Sequence, residues 1–218
     1  FITDHAGAEK EKNKRQDGYD QLRKGARGQV LKELIRKNRS YRRFDENRPI
    51  TRATLEELVA LARWAPSAAN RQPLKYFLSW TPERNAAIFP HLRWAGYLAD
   101  WPGPAAGERP TGYIVILGDT RISKNFGCDH GIAAQTILLG AVEAGFGGCI
   151  IGAIDRESLR QALRIPAAFE VLLVLALGRP NEEVVLEEMD GEGDIRYWRD
   201  ARGVHHVPKR PLTDLIID

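Results

Sequence analysis
The chain is poor in cysteine: among 218 residues only Cys128 and Cys149 occur, with no Cys-x-x-Cys pair and no histidine spacing suited to zinc. That excludes a disulfide scaffold and a structural zinc site, and both thiols are read as free. Long apolar runs are missing too, since none reaches the roughly 18 residues of a membrane-spanning helix. The opening Phe1-Ile2-Thr3-Asp4-His5 does not read as a signal peptide, and the expected location is cytoplasmic. Glycine-rich phosphate loops are absent. The spacing Gly145-x-Gly147-x-x-Ile150 lacks the third glycine of a dinucleotide fingerprint and follows a helical pattern instead of opening one, and no Walker motif occurs. Phosphate, if bound, must be met by side chains.

What is present is a mildly basic chain, formal charge +3, whose 43% hydrophobic content fits one domain with an arm. Residues 1–27 are polar and read as an N-terminal arm, while 28–218 carry the folded domain. Of the 32 Lys and Arg residues, 13 lie between Lys10 and Arg43. Such a run is ordinarily a solvated helix face; with Tyr19 and Tyr41 it also leaves open a nucleic-acid-binding reading. Ser40, flanked by Arg39 and Arg42, offers a hydroxyl and two guanidinium forks, the donors a phosphate monoester would use.

The stretch Trp64 to Pro73 interrupts a strong helical pattern, because Pro66 and Pro73 each fix φ and disfavour helix in the preceding residue. Upstream, Thr54 and Glu57 have capping-box spacing, and Leu55, Leu58, Val59, Leu61 and Ala62 form an apolar face. Strands are expected at 76–80, 111–118, 149–153 and 169–177, with helices at 82–89, 129–144 and 156–164, the last capped by Asp155. The 129–144 pattern is apolar all round, as in a buried helix. Aromatic residues of 91–104 suggest a lid, residues 182–190 an acidic loop, and 195–198 with 204–207 a hairpin. His205 and His206 would face opposite sides of that strand, so no shared metal is expected. The order is that of an α+β chain without a βαβ repeat.

Four segments in this order resemble the FMN-dependent nitroreductase family over about residues 28–218: Arg39-Ser40-Tyr41-Arg42-Arg43-Phe44, Ala65-Pro66-Ser67-x-x-Asn70-x-Gln72-Pro73, Gly145-Phe146-Gly147-Gly148 with Ile151-Gly152, and Lys209-Arg210-Pro211-Leu212. The resemblance implies an α+β sandwich, a central, mostly antiparallel sheet flanked by helices, in a homodimer. It also implies an enzyme passing electrons from NAD(P)H through FMN to a nitroaromatic, quinone or similar acceptor. Arg39, Ser40 and Arg42, joined by Lys209 and Arg210, would hold the FMN phosphate and ribityl chain. Pro66, Ser67, Ala68 and Asn70 would approach the flavin ring from the other subunit, and Gly152 and Ala153 would supply backbone N–H groups. Relatives carry Gly-Gly or Glu-Gly where this chain has Gly152-Ala153. A flavin-holding scaffold without turnover is the alternative within the same resemblance.

Overall fold
The helix expected before the Pro66 break forms because its start, face and stop agree. In the computed structural model, which describes residues 30–189 and 193–217, this helix α2 spans Arg52–Arg63. Its cap is not Thr54: the Thr51 side chain accepts from the Thr54 backbone N–H at 3.1 Å, so the helix starts earlier than the capping-box spacing indicated. Thr51 follows Pro49-Ile50, and its backbone is already extended, as an N-cap requires. Leu55, Leu58 and Ala62 are buried, and Trp64 closes the helix at its C-cap. A preceding helix, α1, is described over residues 30–37 and belongs to a separate amino-terminal unit ending at Lys37. The polar arm and most of the basic run lie outside the described residues.

The body from Asn38 onward is built on a four-stranded sheet of order β1-β2-β4-β3, in which every neighbouring pair is antiparallel. The strands are β1 (Leu74–Ser79), β2 (Gly112–Asp119), β3 (Gly147–Ile151) and β4 (Phe169–Gly178). All eight residues of β2 are buried, as its unbroken apolar run requires of a strand covered on both faces. Alternation divides the core. Ile114, Ile116, Leu175 and Leu177 pack under α2 and α4 (Asp129–Glu143). Tyr113, Val115, Val174 and Ala176 instead share a layer with Ile88, at the end of α3 (Pro82–Ile88), and Leu159 of α5 (Arg156–Ala162). Asp155 caps α5 by accepting from the Ser158 N–H. The result is the α+β sandwich, with helices on both faces of an antiparallel sheet.

Three expectations change. Helix α4 is not buried all round: Ala133, Ala134, Ile137, Leu138 and Ala141 face the core, but Ile132 and Gln135 are exposed because α2 and the sheet cover one side only. The segment 91–104 contributes to the core as well as to the surface, with Leu92, Trp94 and Ala95 buried and Gly103 pressed against the Trp94 ring, while Gly96 and Tyr97 are exposed. Within the expected acidic loop, Val184–Glu188 forms a strand, β5, that pairs parallel with β7 (His205–Lys209). Its Val-Val-Leu run supplies the β propensity that the surrounding acids masked. Strand β6 (Trp198–Arg199) pairs antiparallel with β7 as the expected hairpin, giving a second sheet of order β5-β7-β6. No helix among the described residues is long and apolar enough to cross a membrane.

Gly148 shows how tightly the sheet is built. A Cβ there would lie 2.6 Å from the Ala176 carbonyl oxygen and 2.8 Å from the Leu138 side chain. Because a sheet backbone atom cannot step aside, Gly148→Ala should destabilise the protein by about 1–3 kcal/mol, read as a lower urea midpoint.

Candidate functional site
The Arg39–Phe44 segment leaves regular helix and lies along the open edge of β3. Ser40 bridges Gly148 in parallel, and the Tyr41 N–H donates to the Gly148 carbonyl at 3.1 Å. Phe44, fully buried, pins the far end. Between these anchors Arg42 turns its guanidinium to Nη1 contacts of 3.2 Å with both the Ser40 carbonyl and His205 Nε2. Its central carbon stands 4.9 Å from the Tyr197 ring centre. Two contacts leave donors of the fork over for a ligand.

A buried carboxylate holds this arrangement. The Glu182 side chain is 1% exposed and accepts from the backbone N–H groups of Arg42 and, at 3.1 Å, Arg43. Its second oxygen receives Arg199 Nη2 at 2.9 Å, and Arg199 in turn lies 4.2 Å over the Trp101 ring. His205 is 1% exposed. Burial first, then the charges of Arg42 and Arg199, push its pKa down to about 4. It is therefore a neutral imidazole whose Nε2 accepts from Arg42. Tyr197 packs on His205 with centres 5.1 Å apart, and Tyr97 on Tyr197 at 5.0 Å.

Arg42 lines a cavity of about 130 Å³ together with Arg93, Cys149, Gly152 and Ala153. The Arg93 N–H donates to the Ala153 carbonyl at 2.9 Å, fixing that turn. Gly152 opens to free space, since a Cβ there would meet only the Leu173 side chain, at 3.8 Å. Burial pushes the Cys149 thiol pKa up, so it is not poised as a nucleophile.

The Ala65–Pro73 stretch forms a second centre. Ala69, Asn70 and Gln72 all have φ near +50°, a left-handed backbone that costs side-chain-bearing residues of order 1 kcal/mol or more each. Asp129 holds them there. Buried at the start of α4, its two oxygens accept from the Ser67 hydroxyl at 2.7 Å and the Ala68 N–H at 3.0 Å, while Ser67 Oγ accepts from the Gln72 N–H at 2.9 Å. The helix dipole favours a carboxylate at that position. Pro66 and Ser67 line a cavity of about 440 Å³ with Tyr76 and Asp129.

With this geometry in view, comparison with known proteins is decisive. The sequence profile described as the nitroreductase family matches residues 35–179. The chain belongs to the nitroreductase family. An Archaeoglobus fulgidus protein provisionally named NADH dehydrogenase/NAD(P)H nitroreductase is 29% identical over 165 residues, 72% of this chain and 89% of that protein. The crystal structure of a nitroreductase family protein from Clostridium novyi aligns with a TM-score of 0.57 at 26% identity, covering 68% of this chain and 84% of the other. An FMN-dependent nitroreductase from Clostridium difficile aligns with a TM-score of 0.55 at 21% identity, covering 69% and 87% respectively.

Against the expected nitroreductase site, the structure brings Arg42, Gly152 and Ala153 to one cavity and Pro66 and Ser67 to another, and no lining residue is common to the two. Arg39 and Ser40 flank Arg42 on the β3 edge, and Ala68 and Asn70 are exposed beside Ser67. Lys209 and Arg210, exposed at the end of β7, line neither cavity. Sequence reasoning missed Asp129, Glu182, Arg93, Tyr197 and His205. Asp129 carried a faint signal as an acid at a helix start; Glu182 was one of several acids in a row and carried none. His205 and His206 do face opposite sides, His206 stacking on Trp198 and meeting Glu187 at 2.6 Å. Among the described residues no group of three or more His, Cys, Asp or Glu side chains could hold a metal ion.

The depressed His205 pKa has a definite sign. Between pH about 4 and the free-imidazole value of 6.5 the unfolded chain takes up a proton that the folded chain refuses, so stability rises with pH across that window and is lost as pH falls. The melting temperature should therefore drop more steeply from pH 6.5 to 4 in the wild type than in His205→Gln.

Proposed function
We propose that the protein is an FMN-dependent oxidoreductase that takes electrons from NAD(P)H and passes them, by ping-pong hydride transfer, to a nitroaromatic, quinone or similar small acceptor. The observation that carries this reading is the shared cavity of the Arg42 guanidinium and the Gly152-Ala153 main chain. It joins a cation suited to phosphate with a backbone position that nothing crowds. The residues fit a flavin mononucleotide in kind, and the 130 Å³ cavity would enclose part of it. When bound, the flavin supplies the two-electron chemistry. The chain's own part is to bind and orient. Arg39, Ser40 and Arg42 are assigned to the phosphate and ribityl chain, with His205 and Tyr197 holding Arg42 in position. Lys209 and Arg210, exposed at the end of β7, are assigned to the same phosphate.

The second wall is assigned to another copy of the chain. Pro66, Ser67, Ala68 and Asn70 are held rigid by Asp129 but stand apart from their own Arg42 cavity, which suits a loop that serves a partner's cofactor. The uncovered side of α4, with Ile132 exposed, suits the same homodimer.

Purified protein should be yellow, be bleached by NADH or NADPH, and give parallel lines in steady-state plots of donor against acceptor. A colourless protein that takes up no FMN overturns the assignment, and bound flavin that reduced nicotinamide never bleaches makes the protein a scaffold. Arg42→Ala should weaken FMN binding by about 1.5–3 kcal/mol, the worth of a hydrogen bond to a charged group, measured by flavin fluorescence titration.

A further inference from the structure
The cavity shared by Arg42, Gly152 and Ala153 has a second cation in its wall, Arg93, and no acid among the described residues that line it. The main chain holds Arg93 in place. Its N–H donates to the Ala153 carbonyl at 2.9 Å, Leu92 bridges Ile154, and the Asp155 N–H donates to the His91 carbonyl at 2.9 Å, so residues 91–93 lie antiparallel to 153–155. Alternation then leaves the Arg93 side chain exposed between two buried neighbours, Leu92 and Trp94. The wall continues through Ala95, whose φ of +38° is left-handed. Such strain persists only where the surroundings enforce it, and it clusters at ligand sites.

The two cations differ in what they already hold. Arg42 meets the Ser40 carbonyl, His205 Nε2 and the Tyr197 ring. The Arg93 guanidinium makes no hydrogen bond, ion pair or ring contact with another described residue. The acid it feels is Asp155, at longer range, and Ser158 already donates to both of that carboxylate's oxygens, from its N–H at 3.1 Å and its hydroxyl at 2.7 Å. Those two bonds are the main cause of the lowered Asp155 pKa, with His91 and Arg93 contributing less. An arginine fixed by its main chain but without a side-chain partner keeps its whole fork of donors for a ligand. A carboxylate matches that fork with two parallel hydrogen bonds. Position sorts the anions. Arg39, Ser40 and Arg42 are assigned to the cofactor phosphate, whereas Arg93 stands with Gly152-Ala153, the main chain assigned to the flavin ring. A group within one side chain of that ring belongs to a small substrate stacked on it.

We propose that Arg93 sets substrate specificity by receiving a carboxylate on the electron acceptor that stacks against the flavin. This role rests on the flavin assignment, which places the ring beside Gly152 and Ala153. Isothermal titration of the oxidised, FMN-loaded protein with para-nitrobenzoate, and with para-nitrobenzyl alcohol as an uncharged molecule of similar shape, tests it without turnover. The wild type should bind the carboxylate about five- to ten-fold more tightly than the alcohol, less than a buried pair would give because Arg93 is exposed. Arg93→Gln, which keeps the backbone N–H, should bring that ratio close to one, and Arg93→Lys should restore part of it. The kcat/KM values for reduction of the two compounds by NADH should follow the same ratios. Equal affinity for the two probes in the wild type, an unchanged ratio in Arg93→Gln, or loss of FMN from Arg93→Gln would each overturn the role. So would a higher KM for NADH in Arg93→Gln with the probe ratio intact, which would give the cation to the donor's pyrophosphate. Protein that takes up no FMN fails at the flavin assignment, and this role with it; FMN-loaded protein without a carboxylate preference fails here alone.

Discussion
The Glu182 carboxylate is where three distant parts of this chain are made to agree. Removing a carboxylate from water costs several kcal/mol unless its lone pairs are met, and here they are met by the backbone of Arg42 and Arg43 and by Arg199. Those partners belong to two different pieces of the architecture. The first two fix the strand-like segment on the edge of β3, and Arg199 ties down the β6–β7 hairpin and lies on Trp101. Because an unpaired buried charge is so unfavourable, the hairpin, the aromatic segment and the Arg42 segment hold one relative position. The direction of the Arg42 side chain follows from that, with His205 and Tyr197 delivered to it by the hairpin.

Asp129 does the corresponding work for the Ala65–Pro73 stretch. Three left-handed residues within four positions, each carrying a side chain, would not persist in an isolated loop. They persist because a buried acid at the start of α4 takes the Ser67 hydroxyl and the Ala68 N–H together, and because Ser67 passes the constraint on to Gln72. The prolines end the helix, but it is the carboxylate that shapes what comes after. Both segments thus rest on a buried acid hydrogen-bonded to main chain. In each case the acid is remote in sequence from the residues it positions.

Much of the architecture was legible in the residues themselves. Proline at 66 stops α2, the eight-residue apolar run makes β2 central, and Asp155 caps α5, because each of these effects is local and acts through φ, burial or a nearby N–H. The pairing of Arg39 and Arg42 around Ser40 is a local pattern of the same kind, and it carries the proposed phosphate assignment. What misled was pattern without neighbours. The apolar circumference of α4 could not say that one side lacks a cover, and the acids around Val184–Glu188 hid a strand whose partner lies about twenty residues away.

By itself, then, the sequence determined which stretches form most of the helices and strands and which residue types could meet a phosphate or let a backbone approach closely, since these depend on side chains within a few positions of one another. Only the tertiary structure decided that Arg42 shares a cavity with Gly152 and Ala153, that Pro66 and Ser67 line a different one, and that Glu182, His205 and Asp129 direct them. Those contacts join residues 60 or more positions apart, and their energy comes from burying charged and polar groups, a cost that exists only once the chain has closed around them.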